Sequence, residues 1–105
     1  MDKVRERVRK FRDDREWSQF HTPANLSKAI SIESAELLEH FLWDNDDFNK
    51  EEACDELADI IVYCMHMADA LNVNIEDIIN KKMDKNEKKY PVEKAKGKSD
   101  KYNKL

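Results

Sequence analysis

The sequence has very little of the residues that build tight turns, because it contains one glycine and two prolines among 105 residues. No segment shows the sustained alternation of apolar and polar residues that is typical of a half-buried β-strand. Hairpins and sheets need both features, so a β-rich fold is excluded. We expect an all-α fold, a bundle of about four helices in a single domain that spans residues 1–105.

Cysteine is also scarce, since Cys54 and Cys64 are the only two. They lie ten residues apart in one predicted helix, whose rigid geometry holds their Cβ atoms beyond disulfide distance. We expect two buried free thiols. A chain of this length buries only about two-thirds of its unfolded surface, so stability calls for a metal or a partner subunit.

Long hydrophobic runs are missing as well. No apolar segment of signal-peptide length follows Met1, and no stretch approaches the roughly 20 apolar residues that cross a bilayer. We therefore expect a cytoplasmic protein with no membrane partner.

Charge is divided unevenly along the chain. Residues 1–80 carry nine Lys or Arg against nineteen Asp or Glu, a net −10, whereas residues 81–105 carry ten Lys against four acids, a net +6. The basic segment has no arginine, and the acidic remainder would repel a polyanion, so no nucleic-acid polymer is expected as a partner. A small polyphosphate is the ligand that this charge distribution favours.

Capping residues and apolar spacing predict where the helices lie. Thr22 with Pro23, and Asn49 with Glu52 three residues later, are typical of helix N-termini. From about Lys88 onward charge dominates, and a basic tail over about residues 88–105 is expected to be irregular, or ordered only by packing on the rest of the chain. The predicted helices cover about residues 2–16, residues 23 to about 43, residues 50 to about 71, and a segment that starts near Asn74.

The third predicted helix is apolar on nearly every side over residues 57–68. A helix on the surface of a small protein carries one apolar stripe and a polar face, so part of this helix must meet another subunit. We predict a homo-oligomer, a homodimer or a homotetramer.

Two pairs of acids at helical spacing carry the chemistry. Glu33 and Glu36 share one face of the second helix with its apolar stripe, and Glu56 and Asp59 repeat the spacing on the third helix. Four inward carboxylates must be protonated, paired with basic groups or bound to cations. Only Lys28 lies on the interior side of these helices, which is too little positive charge for pairing.

The ligand chemistry of these acids restricts which metal ions can bind to them. Oxygen ligands alone favour hard cations, and Mg²⁺, or Mn²⁺, is the natural occupant when a substrate phosphate completes the coordination. A di-iron bundle needs Glu-x-x-His pairs, and no histidine here follows a glutamate at that spacing. We predict a metal site at Glu33, Glu36, Glu56 and Asp59.

The pattern Glu33-x-x-Glu36 followed by Glu56-x-x-Asp59 resembles the paired signature of the MazG-like nucleotide pyrophosphohydrolases. Further segments are similar to the dCTP pyrophosphatase branch of that family, and the similarity covers most of the chain. They are Trp17-Ser-Gln-Phe-His21, Pro23-x-Asn25-Leu26, Glu36-Leu-x-Glu39-x-Phe41-x-Trp43, Tyr63, Lys82-Met83, Asn86-x-x-Lys89-Tyr90-Pro91 and Lys101-Tyr102.

The resemblance implies a metal-dependent enzyme, a nucleoside triphosphate diphosphatase. Such an enzyme hydrolyses dCTP-like nucleotides between the α and β phosphates, releases pyrophosphate and thereby cleans the nucleotide pool. The four acids become metal ligands, and Glu33 or Glu36 is the catalytic carboxylate that activates water. The family further implies that the active site lies between helices and partly across a subunit interface.

The resemblance also implies substrate contacts. Trp17, His21 and Trp43 match positions that line the base pocket, and Tyr63 matches either a packing position or a phosphate or sugar contact. Lys28 is a candidate phosphate contact. The phosphate-facing end of the family site corresponds to Lys82, Asn86, Lys89 and Tyr90.

Two alternatives stay open at this point. A related helical enzyme for dUTP, or for a broad set of triphosphates, shares the same four acids and differs only in its base pocket. A non-enzymatic helical interaction module would use the acids at an interface and the basic tail to bind an acidic partner. Metal-dependent pyrophosphate release separates the second alternative from both enzymes.

Overall fold

Helices account for all the regular structure in the computed structural model, which describes residues 1–105 and contains no β-strand. The predicted all-α fold is confirmed. None of these helices combines the length and the apolar character that crossing a bilayer requires. The α-helices are α1 (Asp2–Asp14), α2 (Pro23–Glu39), α3 (Lys50–Ala70), α4 (Ile75–Lys89) and α5 (Val92–Ala95), with 3₁₀ helices at Trp17–Phe20 and Tyr102–Lys104.

Side-chain caps begin three of the four long helices where the sequence predicts them. In each case the oxygen of the capping residue accepts a hydrogen bond from a backbone N–H three residues later, which satisfies a donor that the helix leaves free. Such a cap contributes about 1 kcal/mol. The pairs are Thr22 with Asn25 (3.1 Å), Asn49 with Glu52 (3.0 Å) and Asn74 with Asp77 (3.0 Å).

Helix α2 ends at Glu39, earlier than the predicted end near Trp43. A polar turn lies in the loop that follows, where Asp44 Oδ1 accepts hydrogen bonds from the backbone N–H groups of Asp46 and Asp47 at 2.8 and 3.1 Å. Across the same loop, the rings of Phe41 and Phe48 pack with centroids 4.5 Å apart. The acidic loop is thus a solvated turn, as its sequence indicates.

The basic tail is more regular than predicted. Helix α4 continues to Lys89, and the short helix α5 follows between Pro91 and Gly97. Pro91 caps its start with a φ of −60°, and Gly97, at a φ of 78°, takes the left-handed conformation that commonly follows a helix end.

By their contacts, the residues form two compact units, Met1–Asn72 and Val73–Leu105. In the first unit, the helices α2 and α3 pack on each other, and α1 contacts α3. The buried residues of the chain are few, namely Leu26, Met65, His66 and Ala68. The organisation of residues 1–105 as one domain stays a prediction.

Much of α3 remains exposed in the single chain. Leu57 and Ile61 are 49% and 42% exposed, although the sequence suggested burial on every side. The cysteines are free, as predicted, but Cys54 is exposed and Cys64 half-buried, so the expectation of two buried thiols is wrong for Cys54. The apolar positions of this helix outnumber those that the small core can cover.

Candidate active site

The two acidic pairs come together where α2 and α3 pack. One carboxylate oxygen from each of Glu33, Glu56 and Asp59 lies within 4.8 Å of the others. Glu36 is close enough to Glu33 and Glu56 to form a hydrogen-bonding contact with each carboxyl group. The i, i+3 spacing on each helix places all four acids in one cluster.

The cluster carries an excess of negative charge. Burial, followed by contact with Glu36 and the charges of Asp59 and Glu56, raises the pKa of Glu33 to about 7. Burial and Glu36 also raise the pKa of Glu56, whereas the neighbouring His40 opposes that rise. Burial and the neighbouring acids disfavour the ionised carboxylates, so the folded chain holds Glu33 and Glu56 in an environment that a cation would stabilise.

The donor set fits a hard divalent cation. Glu33 Oε2 is buried and has no hydrogen-bond partner, so one carboxylate oxygen is left available inside the cluster. Clustered carboxylate oxygens are the ligands that Mg²⁺ and Mn²⁺ prefer. Glu33 and Glu56 are half-buried, but Asp59 is exposed, which corrects the expectation that all four acids point into the core. Glu36 lies beside this three-residue group rather than within it.

A cavity of about 200 Å³ opens directly beside the acids. Glu33 and Asp59 form one part of its wall, and three predicted substrate contacts, Trp17, His21 and Tyr63, form another. Trp17 and His21 reach it because the 3₁₀ helix Trp17–Phe20 turns the chain between α1 and α2. The fold therefore brings an aromatic wall and a carboxylate cluster to a single opening.

Three further residues line this cavity although the sequence did not predict them as site residues, namely Phe11, Val62 and His66. Phe11 packs edge-to-face on Trp17, with ring centroids 5.5 Å apart. His66 is 5% exposed, and its ring lies 4.5 Å from that of His21 at an angle of 38°. Phe11 is an apolar residue of α1, and His66 is buried on α3. Helical spacing alone does not show that either residue borders a cavity.

Known proteins match both the sequence and the fold. The MazG-like family matches residues 28–105. The chain is 33% identical to dCTP pyrophosphatase 1 of Mus musculus and 32% identical to that of Homo sapiens, each over 114 residues that cover 100% of this chain and 67% of the relative. A pyrophosphatase crystal structure from Archaeoglobus fulgidus aligns with a TM-score of 0.75 and 37% identity, over 87% of this chain and 92% of that one.

The chain belongs to the MazG-like family. The resemblance to the dCTP pyrophosphatase branch is confirmed by these relatives, and so is the predicted enzyme class, a nucleoside triphosphate diphosphatase. The roles of individual residues stay predictions.

Two predicted contacts lie away from the cavity of this MazG-like chain. Trp43 is 96% exposed in the loop between α2 and α3. Lys28 is exposed on α2, which corrects its expected place on the interior side. Neither residue lines the cavity beside the acids.

The remaining predicted contacts belong to the second unit, Val73–Leu105. Lys82, Asn86 and Lys89 lie on α4, and Tyr90 follows it directly. Lys89 Nζ lies 4.8 Å from the centroid of the Tyr102 ring, which also packs edge-to-face on Tyr90 with centroids 6.3 Å apart. Tyr102, which belongs to the family-like segment Lys101-Tyr102, therefore packs against the end of α4.

Proposed function

We propose that this MazG-like enzyme hydrolyses dCTP-like nucleoside triphosphates to the monophosphate and pyrophosphate with Mg²⁺. One observation carries the proposal: the cavity wall joins Glu33 and Asp59 to Trp17, His21 and Tyr63. A nucleotide needs both surfaces, since its phosphates require cations and its base requires an aromatic face. The names of the relatives support the cytosine base.

The acids are assigned to the phosphate end of the substrate. Glu33, Glu36, Glu56 and Asp59 would hold Mg²⁺, with Mn²⁺ as the substitute. When bound, the metal ion supplies positive charge that offsets the charge of the triphosphate. Glu33 and Glu36 are the two candidates for the carboxylate that orients the attacking water and accepts its proton.

The aromatic wall is assigned to the base. Trp17 offers a flat face for stacking, and His21 offers ring nitrogens to the polar edge of a pyrimidine. Tyr63 lines the same cavity and lies about one helical turn after Asp59 on α3. Its hydroxyl is assigned to the sugar or to a phosphate.

A second copy of the chain is part of the proposal. Specific small-molecule sites occupy about 300–1,000 Å³, more than the roughly 200 Å³ of the cavity beside the acids. Four large apolar side chains of α2 and α3 are 42% to 59% exposed, and a homodimer, or a tetramer of dimers, would cover them. The four are Ile32, Leu38, Leu57 and Ile61.

Pyrophosphate release is the test. The wild-type chain is given dCTP, dUTP, dTTP, dATP, dGTP and CTP with Mg²⁺, and then with the metal chelated. We expect metal-dependent release that is fastest for dCTP. Equal rates across the panel would replace the cytosine preference with broad specificity, and the fastest release from dUTP would make the chain a dUTP enzyme.

A matched pair of variants tests whether the pyrophosphate release comes from this active site or from a contaminating enzyme. Glu36→Gln is expected to lose the activity, whereas Glu39→Gln, at an exposed position on the same helix, is expected to keep it. No release from any nucleotide would contradict the enzymatic proposal and favour the interaction module.

A further inference from the structure

His66 is the one buried residue with a titratable side chain, and no role has been assigned to it so far. It lies on α3, one helical turn after Tyr63 and two turns after Asp59. Its ring borders the cavity beside the acids, and it also borders a cleft of about 350 Å³ on the side of Arg9, Arg12 and Asp69. His21 is the only other residue that lines both openings.

The two histidine rings are in direct, tilted contact. Their centroids lie 4.5 Å apart at 38°, at the short end of the range of favourable aromatic pairs. Nδ1 of each ring is buried without a hydrogen-bond partner. No hydrogen bond through Nδ1 therefore fixes the orientation of the His21 ring, and the ring of His66 is in direct contact with it.

The charge state of the rings suits this contact. Burial lowers the pKa of His66 to about 4, with smaller contributions from His21 and Arg12. Burial, and then Arg12, also lowers the pKa of His21. Both rings are consequently neutral near pH 7, so no repulsion between two imidazolium ions opposes their contact.

We propose that His66 is a positioning residue that holds the His21 ring in the orientation needed to read the nucleobase. The inference rests on the proposed function, because it uses His21 as the base contact. His66 acts through His21, and the aromatic face is the feature that matters.

The test is a double-mutant cycle on base discrimination, measured as the ratio of kcat/KM for dCTP to that for dUTP. His66→Leu keeps an apolar side chain at the buried position but removes the aromatic face. We expect the ratio to fall by about three- to tenfold, the range of an aromatic pair, mainly through a higher KM for dCTP with kcat little changed. In a His21→Ala background, His66→Leu is expected to change the ratio no further.

A purely structural role for His66 gives a different result. If His66→Leu lowers the ratio equally with and without the His21 side chain, or lowers kcat and not the ratio, the positioning role is overturned. Wild-type protein that hydrolyses no nucleotide would overturn the proposed function and this inference together. Additive mutations in an active wild-type enzyme would overturn this inference alone.

A second pair of variants keeps the test decisive if His66→Leu does not fold. His66→Phe preserves an aromatic face and removes both nitrogens, whereas His66→Asn preserves a polar group and removes the ring. The proposal expects His66→Phe to restore most of the discrimination and His66→Asn to lose it. The reverse order would overturn the role of the ring contact and assign the effect to a ring nitrogen.

Discussion

Arg9 and Asp69 form a two-point ion pair, in which Nε and Nη2 of the arginine donate hydrogen bonds of 3.0 and 2.8 Å to the two carboxylate oxygens. Arg12 donates a third, at 2.8 Å, to the same carboxylate. The side chain of Asp69 is 24% exposed, so the pair is partly shielded from water. Because the arginines lie on α1 and the acid on α3, this contact ties the first helix to the rest of its unit.

Asp69→Asn is therefore expected to lower the free energy of unfolding by roughly 1 to 3 kcal/mol, the range for hydrogen bonds to charged groups. Urea denaturation followed by circular dichroism measures the change. Asp55→Asn is the matched control, since Asp55 is exposed on the same helix. Equal stability of the two variants would show that the ion pair does not hold α1 in place.

Removing one acid of the cluster is expected to stop turnover without unfolding the chain. Glu36→Gln and Asp59→Asn each delete a proposed metal ligand, and each also relieves repulsion among the clustered carboxylates. We expect kcat to fall by at least about 100-fold while the melting temperature stays the same or rises. Full activity in either variant would refute the metal-site assignment.

Magnesium is expected to stabilise the chain more at pH 8 than at pH 6. The folded-state pKa of Glu33 is raised to about 7 in the metal-free chain, so its contribution to stability is present below the ordinary value of 4.5 and is lost as the pH rises through 7. A bound cation needs the ionised carboxylate and compensates that loss. Melting curves at both pH values, with millimolar Mg²⁺ and with chelator, measure the shift.

Glu33→Gln is the control for this pH dependence, since it cannot ionise. Its metal-free stability should lose the part of the pH dependence that lies between pH 4.5 and 7. A magnesium shift in the wild-type chain that is the same at both pH values would contradict competition between the proton and the metal at this cluster.

His66 is expected to lower the stability of the chain in acid. This pH dependence is opposite in sign to that of Glu33, whose contribution is lost as the pH rises. Its folded-state pKa of about 4 lies below the ordinary 6.5, so the unfolded chain binds the proton first as the pH falls. Stability is fully present above pH 6.5 and declines as the pH falls toward 4, by up to about 3 kcal/mol. His66→Phe should flatten this decline in urea denaturation, and an unchanged slope would locate the acid sensitivity elsewhere.

The exposed face of α2 and α3 is expected to mediate self-association. Ile61→Asp places a charge on a 42% exposed apolar position and should shift the chain toward monomer in sedimentation velocity. Ile61→Leu keeps the apolar surface and is expected to leave the assembly unchanged. A wild-type chain that is already monomeric at micromolar concentration would contradict the proposed homo-oligomer.

The helix starts were predictable because short-range hydrogen bonds define them. Each capping side chain reaches a backbone N–H only three residues away, as with Asn49 and Glu52. The end of α2 was predicted too late, because apolar spacing continues through Phe41, whose ring instead packs on Phe48 across the loop. Helical periodicity shows that a residue is apolar, and it does not show whether its partner lies on the helix or beyond it.

The sequence by itself determined the all-α fold, the family and the two acidic pairs, since composition, capping and the spacing of acids are properties of neighbouring residues. Only the tertiary structure decided that Glu36 lies beside the group of Glu33, Glu56 and Asp59, and that the ring of His66 contacts His21 at the wall of the neighbouring cavity. It also left Trp43 exposed and outside the cavity, although the family resemblance implied a place in the base pocket. Contacts between distant parts of the chain depend on how the helices pack, and no local pattern encodes that packing.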